Sequence, residues 1–364
     1  MIPIYRPSIG DREKKYVNEA MESGWVSSKG AFLDRFEKEF AAYLGVAHGV
    51  SAANGTVALH LAFAALGLGP GDEVIVPTLT YIASVNAITY TGATPVFVDS
   101  DPTCWNLDPN LIERAVTPHT RAIEVVHLYG HPTDMDPVME IAGRHHLYVV
   151  EDAAESHGAT YKGRLVGAIG TVGSFSFFGN KIITTGEGGM LVTNDDELAA
   201  HSRHLRGQGV SPTRTYWHDI LGFNYRMTNI AAAMGCAQLE RIDETLAAKR
   251  TVASWYERYL GGIDGVTLQS EASWARCVFW MNSILVAPEL RDPLMAHLAG
   301  EGIETRPFFH PAHMMPVYRT GESFPVAERL GASGVNLPSY ASLEEAQIAD
   351  ICASIRRFVQ THRG

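Results

Sequence analysis

Between residues 73 and 152, short uninterrupted apolar runs alternate with segments of helical spacing. EVIVP from Glu73, TPVFV from Thr94, the run from Arg121 to His127 and LYVV from Leu147 read as strands. Tyr81 to Tyr90, a segment capped by Asp108 that reaches about Val116, and Asp134 to His145 read as the helices between them. Strands that are apolar without alternation are buried on both faces. Each is followed by a helix, which predicts an α/β fold with a mostly parallel sheet and helices on both sides. Ligands of such sheets bind beyond the carboxyl ends of the strands. LYVV runs directly into Glu151 and Asp152, so a carboxylate stands at one of those ends.

The flanking segments extend this plan. An N-terminal arm leads into a helix over Glu13 to Met21, and Asp34 to Leu44 places Phe36, Phe40 and Leu44 on one helical face. Val50 to Thr56 reads as a loop that opens a helix from Val57 to Leu66, capped by Asn54 or Thr56. Gly55 lets the backbone there approach a ligand, and free N–H groups at a helix start seat a phosphate; an ordinary capped helix reads equally from these residues. Met190 to Thr193 reads as a strand, Asp195 to Arg206 as a helix, and Thr228 to Leu260 as a long helical stretch. A smaller α+β unit follows, with strands at Cys277 to Val286 and Gly302 to Arg306 and helices at Arg291 to Gly300 and Leu343 to Val359. The expected division is a large domain over residues 1–240 and a small C-terminal domain over 241–364.

Composition narrows the function. A net charge of -11 disfavours non-specific binding to nucleic acid or to an anionic membrane surface. There is no apolar run of about 18 residues that could span a bilayer and no leader-like N-terminus. The four cysteines are scattered, with no CxxC pair, which fits a reducing cytoplasm and gives no metal or disulfide framework.

The stretch FSFFGNKIITTGEGG, from Phe175 to Gly189, holds Lys181 in nearly uncharged surroundings. A lysine so placed reads either as a snorkelling surface residue or as an amine in a pocket, able to form a Schiff base with a carbonyl compound. A pyridoxal phosphate site needs that amine, a carboxylate for the pyridine nitrogen, an aromatic ring to stack on the cofactor and a phosphate cradle at a helix start. Lys181, Asp152, Tyr81, and Gly55 with Thr56 supply these types at strand–helix junctions, and Ser176 adds a hydroxyl. Each also has a plain reading: Asp152 as the cap of a helix over AAES, Tyr81 as a core aromatic, Ser176 as a solvent-facing strand residue.

Several long motifs carry a resemblance. NGT-ALHLAFAALG from Asn54, DEVIVPTLTYIAS from Asp72, VHLYGHPTDMD from Val126, EDAAESHGA from Glu151, FSFFGNKIITTGEGGM from Phe175 and GFNYRMTNIAAAMGCAQL from Gly222 resemble the fold-type I pyridoxal-phosphate-dependent nucleotide-sugar aminotransferases. GWVSSKGAFLDRFE from Gly24, RGQGVSPTRTYWHDI from Arg206 and RPFFHPAHMMPVY from Arg306 are most similar to the branch that acts at C4 of GDP-4-keto-6-deoxy-D-mannose. The resemblance implies an aspartate-aminotransferase-like large domain. Lys181 would be the cofactor lysine and proton-transfer base, and Asp152 the partner of the pyridine nitrogen. Tyr81 would stack on the ring, and Gly55, Thr56 and Ser176 would hold the phosphate. Asn224 would reach it from the other subunit of a homodimer. Glu155 stands where many relatives carry a glutamine, near the cofactor's phenolic oxygen. The implied amino donor is L-glutamate and the implied acceptor a GDP-linked ketosugar. A dTDP- or UDP-linked ketosugar, a keto-octulosonate, or a non-catalytic cofactor-binding regulator are the alternatives.

Two further features remain. His310 and His313 form an HxxH pair, but with Pro311 between them and no nearby carboxylate or cysteine no metal is expected. His310 and Arg306 read instead as substrate-facing residues, the arginine meeting a carboxylate or a diphosphate. The glycine runs GLGPG and GAIGTVG lack the strand–helix spacing of a dinucleotide fingerprint.

Overall fold

The apolar runs assemble into one sheet. A computed structural model describes residues 1–319 and 321–362. Its large sheet has the strands β1 (His48–Ala52), β2 (Glu73–Pro77), β3 (Thr94–Val98), β4 (Thr120–Val126), β5 (Tyr148–Asp152), β6 (Val172–Ser176) and β7 (Gly189–Thr193). Their spatial order is β1-β7-β6-β5-β4-β2-β3. β3, β2, β4, β5 and β6 are mutually parallel, and β7 is antiparallel to both of its neighbours. The carboxyl ends of six strands and the amino end of β7 therefore share one edge. That edge carries Asn54, Thr80, Asp152 and the connection from Phe177 to Gly188 with Lys181.

Both faces are covered by helices: α1 (Asp11–Glu22), α2 (Ala31–Leu44), α3 (Gly55–Ala65), α4 (Ile82–Tyr90), α5 (Met135–His145), α6 (Asp196–Arg206) and α7 (Asn229–Leu239). The face predicted for α2 is buried, and Phe40 meets Phe175 and Phe177 edge-on at 5.0 and 5.2 Å. α8 (Ile242–Leu260), α9 (Pro288–Gly300) and α11 (Glu345–Thr361) enclose a second apolar cluster around Ile284, Leu298, Val335 and Ile351. That cluster lines a four-stranded antiparallel sheet of Thr267–Leu268, Asn282–Leu285, Gly334–Leu337 and Arg306–Pro307. No helix among the described residues is long and apolar enough to cross a membrane.

Several expected elements differ. The segment after Asp108 forms two 3₁₀ turns, Pro109–Leu111 and Glu113–Ala115, although Asp108 does accept from the Asn110 N–H as a cap. The stretch from Thr228 to Leu260 breaks at Glu240 and Arg241 into α7 and α8. The strand expected from Cys277 starts only at Asn282, because Phe279 takes a left-handed backbone with φ of 48°. Ala153 to Ser156 form turns, so Asp152 caps no helix. Val50 to Ala52, read as loop, belong to the edge strand β1. Its sequence HGVSA has one large apolar residue, and Gly49 fits α2 so closely that a Cβ would stand 2.7 Å from the Glu37 carbonyl oxygen.

A buried carboxylate joins the large sheet to the α10 helix, Pro325–Ser333. At the end of β3, Asp99 accepts from the Val326 and Ala327 N–H groups at 3.1 and 2.8 Å. A carboxylate there satisfies orphan donors and faces the positive end of the helix dipole. Asp99→Ala is expected to lower the unfolding free energy by about 1–3 kcal/mol, measured by urea denaturation; an unchanged midpoint would contradict this role.

Candidate active site

The edge described above forms the floor of a cavity of about 570 Å³. Asn54, Gly55, Thr56, Tyr81, Asp152, Glu155, Ser176 and Lys181 all line it, so seven residues singled out in the sequence, together with the helix cap Asn54, converge. Arg306 lines it from the second sheet, together with Phe309, Trp280, Met281 and Asn336.

The start of α3 is fixed from two sides. Asn54 is extended, and its side chain accepts from the Val57 N–H at 3.0 Å. The helix presses so tightly on the sheet that a Cβ on Gly55 would lie 2.6 Å from Ser176 Cβ, and one on Gly189 would lie 2.3 Å from the Asn54 carbonyl oxygen. Glycine is required at both positions. The close approach leaves the first-turn N–H groups of α3 beside the Ser176 hydroxyl, at the positive end of a helix dipole.

Asp152 is buried at the end of β5. Its carboxylate accepts from Ser84 Oγ at 2.8 Å and from the Ala154 N–H at 3.1 Å, and Thr80 Oγ1 shares a hydrogen bond with Ser84. Burial raises its pKa, partly offset by these donors and by the Lys181 charge. On the same face of the sheet, Glu124 of β4 is fully buried, and neither of its carboxylate oxygens has a hydrogen-bond partner among the described residues. Burial and then the Asp152 charge push its pKa well up, so it carries its proton at neutral pH.

Lys181 occupies the β6–β7 connection. Its Nζ is 3.6 Å from Glu155 Oε1 and 4.1 Å from the centroid of the Trp280 ring. Glu155 is buried and also accepts from the Tyr129 N–H at 2.9 Å. Burial pushes its pKa up to about 7 against the opposing pull of Lys181 and the Tyr129 N–H. Tyr129 holds a left-handed backbone with φ of 54°, and its hydroxyl accepts from the Phe309 N–H at 3.2 Å. That strained residue thereby ties the carboxylate beside Lys181 to the segment carrying Arg306. Tyr81 caps α4 without a side-chain bond. Its half-exposed ring is 5.5 Å from Phe309, on the open side of the cavity.

Two expected residues lie elsewhere. Asn224 bridges Gly207 in the loop after α6 and does not line the cavity. His310 does not line it either. His313 is buried away from it, where its ring bonds Thr78 Oγ1 at 2.7 Å and lies 3.3 Å from Glu328. Sequence reasoning missed Trp280, Ser84, Tyr129 and Tyr5, whose hydroxyl donates to the Lys181 carbonyl oxygen at 2.5 Å. The aromatic run FWM at 279–281 was the one available signal for Trp280.

Comparison with known proteins agrees with this geometry. The model of the DegT/DnrJ/EryC1/StrS aminotransferase family matches residues 7–356. The chain is similar to the GDP-perosamine synthase of Caulobacter vibrioides, at 53% identity over 97% of both chains. It is similar to that of Escherichia coli O157:H7, at 52% over 98% of both. Among solved structures it resembles DesV of S. venezuelae, crystallised in complex with a ketimine intermediate. The TM-score is 0.91 and the identity 39%, covering 96% of this chain and 95% of that one.

The raised pKa of Glu155 has a measurable sign. The folded protein without cofactor holds this proton up to about 7, whereas the ordinary value is 4.5. The wild-type chain therefore loses stability from this group as pH rises through that window, and Gln has nothing to lose. The stability of Glu155→Gln relative to wild type should grow between roughly pH 4.5 and 7 and level off above, by urea denaturation of the cofactor-free protein. A difference that shrinks over that range would contradict the assignment.

Proposed function

Because the chain belongs to the DegT/DnrJ/EryC1/StrS aminotransferase family, we propose that it transfers an amino group from L-glutamate to C4 of GDP-4-keto-6-deoxy-D-mannose, giving GDP-perosamine. It is an aminotransferase that depends on pyridoxal phosphate. The sugar is supported by relatives of nearly equal length that are named for GDP-perosamine synthesis. The observation that carries the residue assignments is the convergence of the α3 start, Asp152, Glu155 and Lys181 on one cavity.

These residues fit the cofactor. Asp152 is a buried carboxylate without an ion-paired cation among the described residues, and the protonated nitrogen of a pyridine ring is such a counter-ion. The α3 N-terminus, packed against Ser176 through a glycine, offers the N–H groups and hydroxyl that a phosphate takes. Bound pyridoxal phosphate supplies an electron sink for the loss of a proton from carbon.

The chain's own residues do the rest. In this reading Gly55, Thr56 and Ser176 hold the phosphate, Asp152 holds the ring nitrogen, and the Tyr81 ring stacks on the open face. Lys181 Nζ anchors the cofactor, then takes and returns the proton at the substrate carbon. Glu155 Oε1, 3.6 Å away, is set near neutrality to share that proton, and the Trp280 ring faces the amine from another side. Arg306, at the cavity wall with an exposed side chain, meets the glutamate carboxylate or the sugar diphosphate. We place His310 further out, toward the acceptor. The site is completed by a second copy. The exposed loop residues Tyr216 and Leu221, 94% and 92% accessible, lie just ahead of Asn224, which the partner subunit would bring to the phosphate. Residues 1–240 form the cofactor-binding domain and 241–364 the smaller domain that delivers Trp280 and Arg306.

The test is direct. Protein loaded with pyridoxal phosphate, glutamate and GDP-4-keto-6-deoxy-D-mannose should give the 4-amino sugar, identified by NMR. Turnover confined to dTDP- or UDP-linked ketosugars would reject the GDP assignment. Lys181→Ala should lose the visible absorbance of the bound cofactor and at least about 10³-fold in kcat.

A further inference from the structure

A second lysine, this one buried, lies behind Lys181. Lys249 of α8 is 1% exposed and lines no part of the cavity. It makes no ion pair among the described residues, although an unpaired ammonium in a protein interior is costly. Its neighbour Arg250 turns the other way, to Glu271 and the Cys277 carbonyl oxygen. Besides burial, the group that bears on the Lys249 charge is the Cys277 thiol, itself pushed up to about 12 by burial and so neutral. What holds the Lys249 amine is a pair of backbone carbonyl oxygens, those of Trp280 at 3.0 Å and of Ser339, with the Tyr5 ring 5.6 Å away.

These partners are the ones that fix the other lysine. Trp280 Nε1 donates to the Asn180 carbonyl oxygen at 2.6 Å, and its ring lies against Lys181 Nζ. Tyr5 donates to the Lys181 carbonyl oxygen. The Ser339 N–H donates to the carbonyl oxygen of Ile4, next to Tyr5, so the Ser339 contact also holds the arm. Two independent struts thus run from one ammonium to consecutive residues of the β6–β7 connection. One passes through Trp280 and the other through the arm. A lysine retained only to satisfy loop carbonyls would have no reason to meet both.

We infer that Lys249 is a positioning residue for the reaction, fixing the reactive amine of Lys181 through Trp280 and Tyr5. The inference rests on the reading of Lys181 as the cofactor lysine. Its consequence is that removing the Lys249 ammonium displaces the Lys181 amine although Lys249 itself lines no part of the cavity. Misplacement of about 1 Å at a reacting group costs on the order of 10²-fold in rate.

The experiment compares Lys249→Met, Tyr5→Phe and Trp280→Phe with wild type in the cofactor-loaded protein. It follows the visible absorbance band as a function of pH, together with kcat, KM and the thermal midpoint. For Lys249→Met, the expected result is a retained fold and a shifted pH midpoint of the band. kcat should fall by about 10- to 100-fold, with KM within about threefold. Tyr5→Phe and Trp280→Phe each cut one strut and should shift the same midpoint in the same direction by less. A lower thermal midpoint with an unmoved band titration and unchanged kcat would reduce Lys249 to a structural residue and overturn the inference. Should Lys249→Met fail to fold, unmoved titrations in both strut variants overturn it equally. A wild-type band that survives Lys181→Ala would instead overturn the cofactor reading, and this inference with it.

Discussion

The amine of Lys181 lies between a buried carboxylate and an indole face, and the architecture around it keeps those three groups in register. Glu155 is 3.6 Å from Nζ and the Trp280 ring centroid 4.1 Å. In a site of low dielectric, the buried Glu155 carboxyl holds its proton up to about 7 within reach of the Lys181 amine. The proposed proton transfer at Lys181 depends on that closeness. It would be lost if the carboxylate were solvated or the amine free to swing away. The strained backbone of Tyr129 and the Trp280 bond to Asn180 hold the two sides at that separation.

The sheet sets the larger geometry. Parallel strands bring their carboxyl ends to one edge, so Asn54, Thr80 and Asp152 meet there although they are far apart in sequence. Reversal of β7 returns the chain to the same edge, which closes the Lys181 connection over the floor of the site. The tight contact of Gly55 with Ser176 and of Gly189 with Asn54 locks the helix start to both strands, so the first-turn N–H groups of α3 and the Lys181 connection belong to one rigid unit. The lysine is thus presented from a braced turn. Buried Lys249 extends the bracing to α8, and the two apolar clusters meet at Tyr5, which packs against both.

What could be read from the sequence was what is local or periodic. Continuous apolar runs gave the parallel sheet because burial on both faces leaves no polar alternation, and Asn54 announced its helix because capping is a short-range bond. The residues that line the cavity were legible because they follow strand ends or open helices. The rest depended on distance. Trp280 reaches Asn180 across 100 positions and Tyr5 reaches Lys181 across 176, contacts for which no local pattern exists. β1 escaped because a strand packed by a glycine has too few side chains to show a period. The helix after Asp108 was over-read: the cap is present, but Pro109 and the short segment support only 3₁₀ turns. Asn224 lies outside the cavity and pairs with Gly207, so the expectation for it is one that a single chain leaves open.

Two lysines in one bracing network, Lys181 and Lys249, make the central claim sharply testable. Burial pushes the Lys249 pKa down to about 7, which by charge alone would suit a Schiff-base amine, yet Lys181 is the one that lines the cavity. Reduction of the cofactor-loaded protein with borohydride, followed by peptide mass mapping, fixes the cofactor on whichever amine holds it. The account predicts the added mass on the peptide containing Lys181 and on no other. Label on the Lys249 peptide, or none after reduction of a coloured protein, would contradict it.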